Sequence, residues 1–143
     1  MKRTILGAVV VAVVATPLVM AQSKTSHSAS AAVIARGKYL VENTSMCNDC
    51  HSPHNEKGEV VEEQRLKGST LEFKAAVPIP EWADKSVNLV GFPGWEKDAA
   101  IKFLMTGIAY NGLPSRPPMP QYRFNRQDAE AIYAYLKSLA PAK

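Results

Sequence analysis

The sequence predicts an all-α fold with long irregular connections. Three observations lead there. The C-terminal stretch places Ala129, Ile132, Tyr133 and Leu136 at i, i+3, i+4 and i+7, with Ala140 on the same face. No segment alternates apolar and polar residues over the length of a strand. Pro78, Pro80, Pro93 and Gly94 forbid a continuous helix or a central strand through the middle of the chain.

The elements follow in order. Lys2 and Arg3 precede an apolar run from Ile5 to Val14, broken by Thr16 and Pro17, with small Ala21 before Gln22. This is the layout of a cleaved secretory signal over residues 1–21. An uncleaved N-terminal membrane anchor is the alternative, although the run is short for a full span. No cysteine lies near position 21 to carry a lipid. Loss of Lys2 and Arg3 would take the formal charge from +4 to +2. Basic and acidic residues are interspersed, which gives nucleic-acid binding little support. Residues 22–30, polar and small, read as a flexible tail that contains His27.

A single domain is then expected over 31–143. Ala31 to about Asn43 reads as a helix, with Val33, Tyr39 and Leu40 as a partial apolar stripe. Gly37 costs about 1 kcal/mol inside a helix, so close approach of a second helix is its expected reason. Residues 52–94 lack periodicity, and so long an irregular stretch in a small domain is expected to wrap around something. Helical spacing returns from about Glu96 to Thr106, where Ile101, Leu104 and Met105 share a face and Gly107 follows as a C-cap. Residues 111–124 carry four prolines and should be stiff and extended. Asn125 is the expected N-cap of the last helix, with Asp128 three residues on, and Pro141 closes it.

Both cysteines and two of the three histidines fall in "MCNDCHSPH", residues 46–54. A structural zinc site would draw its ligands from two separated knuckles, and no second pair exists. A thiol–disulfide oxidoreductase would set its Cys-x-x-Cys at a helix N-terminus after a strand, whereas a helix precedes this one. Cys47-Asn48-Asp49-Cys50-His51 is the Cys-x-x-Cys-His signature of covalent c-type haem attachment. Cys47 and Cys50 would add to the two vinyl groups, and His51 would reach iron from the proximal face. One macrocycle would also supply apolar surface to a small core, at about 25 cal/mol per Å² buried.

A filled sixth position on iron favours electron transfer, and an open one permits ligand binding or catalysis. Met46 and His54 belong to the proximal segment, His27 to the tail, and Met105 to an apolar helix face. Met119 lies in Pro117-Pro118-Met119-Pro120, where prolines on both sides restrict the backbone and aim a thioether. Iron ligation is the favoured reading, and a methionine in a surface turn is the other.

With these residues in view, the chain resembles a class I monohaem c-type cytochrome. The resemblance runs from the helix with Gly37 and Tyr39, through Cys47–His51, to Met119 and "DAEAIYAYLKSL". "PGW", "TGI", "RPPMPQY" and "AIYAYLKSL" resemble bacterial cytochromes that serve periplasmic dehydrogenases or oxidases. It implies a small cytochrome c fold of helices and long loops around one haem c. It also implies crossing terminal helices with Tyr133 or Tyr135 beside Gly37, and His51 and Met119 as iron ligands. The implied function is one-electron transfer between a dehydrogenase or other donor and a respiratory acceptor, in the periplasm, without enzymatic activity of its own. A haem enzyme or sensor with a displaceable distal ligand is the alternative. Arg116, Trp95, Tyr110 and Asn111 are candidates by position for contact with the haem propionates, and Trp82 for covering the ring. Lys102, Arg123 and Arg126 are candidates for a docking rim. The long link over 55–94 departs from the pattern, and its contacts stay unassigned.

Overall fold

A computed structural model describes residues 31–141. The expected signal segment, the tail and His27 lie outside them. Helix α1 takes in 31–39 and continues as a π-helical turn, Leu40–Thr44; α2 is the short Cys47–His51; α3 is Lys97–Thr106; α4 is Arg126–Ser138. A 3-10 turn, Glu62–Gln64, lies in the long link. The described residues form isolated β-bridges but no strand, as the all-α expectation requires. No helix among them is long and apolar enough to cross a membrane.

Helices α1 and α4 cross at Gly37. A Cβ built there would stand 2.0 Å from the Ala131 carbonyl oxygen and 2.8 Å from the Tyr135 Cβ. The glycine therefore exchanges helix propensity for close approach of two backbones. This crossing sets which face of α1 is buried. Leu40 and Val41 are buried and Ile34 packs against the core, whereas Val33 and Tyr39 are largely exposed. The stripe expected from Val33 and Tyr39 is thus rotated toward the side that Gly37 presents to α4. The crossing is pinned at its edge by Arg36, whose guanidinium donates to both carboxylate oxygens of Asp128, at 2.8 and 3.1 Å.

Helix α4 forms where its spacing predicts, but Tyr135 is buried in place of the expected Tyr133, and Tyr133 and Ala140 are only partly covered. Asn125 caps it by accepting from the Asp128 N–H at 2.9 Å, and Ala129, Ile132, Tyr135 and Leu136 are buried. Against it lies α3, which buries Ala100, Ile101 and Leu104 and ends at Gly107 in the left-handed region, φ +70°.

The long link contributes to this core. Leu66 is fully buried although its φ is +59°, a conformation uncommon for a residue with a Cβ. Burying a leucine is worth about 1.5–3 kcal/mol, enough to offset that strain. Its N–H donates to the Ser52 hydroxyl at 2.9 Å, and its carbonyl accepts from Leu89 N–H at 2.8 Å. The link is thereby tied to the end of α2 on one side and to the approach to α3 on the other.

Candidate functional site

Helix α2 follows Met46, its N-cap, held in the left-handed region at φ +48°, and carries Cys47, Cys50 and His51 on little more than one turn. His51 is buried, as are Asn48 and Ser52. Both cysteines are unpaired and partly exposed. Burial pushes the Cys47 thiol up to about 12 and raises Cys50 as well, with Asp49 adding to both. These thiols are protonated at neutral pH and poorly suited to attacking disulfides.

The histidine is oriented by a distant residue. His51 Nδ1 lies 2.8 Å from the Val87 carbonyl oxygen. A carbonyl only accepts, so Nδ1 carries the proton and Nε2 keeps its lone pair. Burial lowers the imidazole's proton affinity more than the Val87 carbonyl raises it, so the ring is held neutral. A neutral imidazole with one nitrogen fixed by a carbonyl is the form that ligates metal.

Residues 69–87 bring that carbonyl into place. Thr70 and Lys85 close a loop excursion, with Leu71 N–H donating to Asp84 O at 2.8 Å. At its base the Ser86 hydroxyl donates to Cys50 O at 2.6 Å and accepts from Ser69 N–H at 2.8 Å. Gly68 N–H caps His51 O at 2.8 Å. The excursion itself exposes Phe73, Val77 and Ile79, large apolar side chains that water alone would not favour. It also carries Trp82, edge-on to Phe73 with ring centroids 6.1 Å apart. The Trp82 Nε1 is buried without a hydrogen-bond partner among the described residues.

Met119 sits partly buried in the loop between α3 and α4. The end of α3 brackets that loop: Ser115 N–H donates to Gly107 O at 2.9 Å, and Phe124 N–H to Leu104 O at 3.2 Å. Within it, Met119 N–H donates to Arg116 O at 3.0 Å and the Ser115 hydroxyl to Met119 O at 3.2 Å. Tyr122 reaches across to the other segment, its hydroxyl donating to Ser45 O at 2.7 Å. Burial raises the Tyr122 phenol to about 12, which keeps it a donor at neutral pH.

The remaining candidates are placed as follows. Arg116 does not reach into the interior; Nε donates to Glu81 O at 2.9 Å and Nη2 to Trp82 O at 3.1 Å. Trp95 packs among Phe92, Phe103 and Tyr110, with centroids 5.0–5.7 Å away. His54 and Met46 are exposed, and Met105 packs against the core. Arg123 turns back onto Gln121 and Tyr122, and Arg126 pairs with Glu130 at 3.5 Å. Ser86, Val87 and Tyr122 were silent in the sequence, because a backbone acceptor and two hydroxyls leave no spacing pattern.

These residues fit a haem. Two unpaired cysteines stand at the spacing of the motif, Nε2 of His51 keeps its lone pair, and the buried Trp82 N–H is a donor without an acceptor among the described residues. Comparison with known proteins agrees. Residues 34–140 match the cytochrome c family. The chain is similar to the cytochrome c subunit of a quinone-type alcohol dehydrogenase of Gluconobacter oxydans, with 27% identity over 74% of this chain and 24% of that protein. It is similar to the gluconate 2-dehydrogenase cytochrome c subunit of Pantoea cypripedii, with 29% identity over 75% of this chain and 26% of that protein. A nicotinate dehydrogenase subunit of Pseudomonas putida is 30% identical over 73% of this chain and 9% of that protein. The chain thus spans about a quarter or less of the length of these relatives. A match over nearly all the described residues, on a fold and a motif suited to it, shows that this chain belongs to the cytochrome c family.

Proposed function

We propose that this protein is an exported one-electron carrier, with a single haem c bound through Cys47 and Cys50 and ligated by His51 and Met119. Residues 1–21 would direct it to the periplasm, and 31–143 would form the working domain. The observation that carries the reading is the His51–Val87 hydrogen bond, which presents a neutral, oriented imidazole directly after the two cysteines. When bound, the haem supplies an iron that accepts and returns one electron.

The chain's own residues set the conditions for that. His51, locked by Val87, keeps its orientation whatever the charge of the iron. Met119 offers a soft thioether, which favours the ferrous state over a second imidazole. Phe73, Val77 and Ile79, exposed on the 69–87 excursion, would give apolar cover if they folded over the haem, and such cover disfavours the extra charge of the ferric state. Trp82 Nε1 would take a propionate as its acceptor. The partner would be a dehydrogenase, as the names of the relatives suggest, with a respiratory protein as the other party.

The test uses protein made in a host with cytochrome-maturation machinery. Its mass should exceed that of the processed chain by one haem. The ferric form should show the near-infrared thioether-to-iron band, lost in Met119→Ala. Ready carbon monoxide binding by the reduced native protein would favour a ligand-binding haem protein instead.

A further inference from the structure

Arg116 is an exposed guanidinium whose hydrogen bonds go to two backbone carbonyls. Its Nε and Nη2 donate to Glu81 O at 2.9 Å and Trp82 O at 3.1 Å, while the Glu81 carboxylate stands 3.9 Å from Nε. One residue on, Pro117 O accepts from Ala83 N–H at 2.7 Å. Three hydrogen bonds therefore rivet 116–117 to 81–83, across a separation of more than thirty residues. Met119 hangs directly from this joint, because its N–H is held by Arg116 O and its carbonyl by Ser115. On the other side of the joint stands Trp82, whose buried N–H has no partner among the described residues.

We propose that Arg116 is a positioning residue for the distal ligand: it fastens the Met119 loop to the Glu81–Trp82 strap, and the Trp82 indole anchors that strap to a haem propionate. The hold on the macrocycle and the hold on the thioether then form one unit. A planar fork suits this better than an ammonium, since it meets two successive carbonyls at once. The inference rests on Met119 ligation as proposed above. Without the clasp the loop gains freedom, the thioether leaves iron more often, and an exogenous ligand competes better. That gain follows from the larger population of the Met-off state.

The experiment measures the thioether-to-iron band and the apparent Kd for imidazole on ferric haem-loaded protein, with thermal unfolding followed in parallel. Arg116→Ala should weaken the band and lower the apparent Kd about fivefold, and Arg116→Lys, whose donors radiate from a single nitrogen, should fall between. Trp82→Phe should act in the same direction. Its combination with Arg116→Ala should give less than the product of the two effects, because both loosen one joint. An unchanged Kd in Arg116→Ala, with the wild-type band intact, overturns the clasp. So does a lower unfolding temperature with no change in Kd, which marks a merely structural role. A wild-type ferric protein lacking the band overturns Met119 ligation itself, and the clasp with it.

Discussion

The segment around Cys47–His51 and the loop around Met119, the two parts proposed to hold the haem, are built by different means. The first is a helix turn whose polar atoms are buried and satisfied from several directions: His51 by Val87 and Gly68, Ser52 by Leu66 and Asn48, Cys50 O by Ser86. The second has no helix, is only partly buried, and is held by separate rivets at Gly107, Leu104, Ala83 and Ser45. Buried networks fail together and at high cost, whereas rivets fail singly. The imidazole is thus fixed by the core, and the backbone of the Met119 loop by a few replaceable contacts.

Substitutions in the two regions should differ in cost. The largest effect is expected from Gly37→Ala, which attacks the crossing that carries α1 into the Cys47 segment. The new Cβ would meet backbone of Ala131, which cannot swing aside. A loss of about 3 kcal/mol in denaturant unfolding is expected, outweighing the propensity gained by alanine. Next comes Ser52→Ala. It leaves the buried Leu66 N–H and the Asn48 side-chain oxygen without their hydroxyl partner, at about 2 kcal/mol. Tyr122→Phe removes one rivet, the bond to Ser45 O, and should cost about 1 kcal/mol in the same assay. If Tyr122→Phe proves costlier than Ser52→Ala, the contrast between network and rivets is wrong. The smallest effect lies outside both regions. Arg36 holds the Asp128 carboxyl below its ordinary value of 3.8. The pair therefore stabilises above that value and is lost as pH falls through the lowered one. The unfolding midpoint of wild type should exceed that of Asp128→Asn at pH 7, and the two should converge in acid.

What the sequence made legible was whatever local chemistry repeats or caps. Helix α4 could be read from its spacing and Asn125, the end of α3 from Gly107, and the site from five adjacent residues. Gly37 could be read as a contact because nothing local explained it. The apolar face of α1 was harder, since Gly37 and not the largest side chains decides which side meets α4. Arg116, one candidate for contact with a propionate, donates to the Glu81 and Trp82 carbonyls, contacts that nothing in the sequence announced. Such contacts depend on how an aperiodic link folds back, and backbone acceptors carry no signature in residue type. The same reason hid Val87, Ser86 and Tyr122.

The acceptor for His51 arrives from 36 residues downstream. A newly made chain that displays only its motif holds an imidazole free to offer either nitrogen. Once the later residues have come round and claimed the δ nitrogen, a single choice is left. Which nitrogen His51 leaves free is thus decided by the completion of folding, and a chain truncated before that turn would keep its Cys-x-x-Cys-His sequence but not its preference.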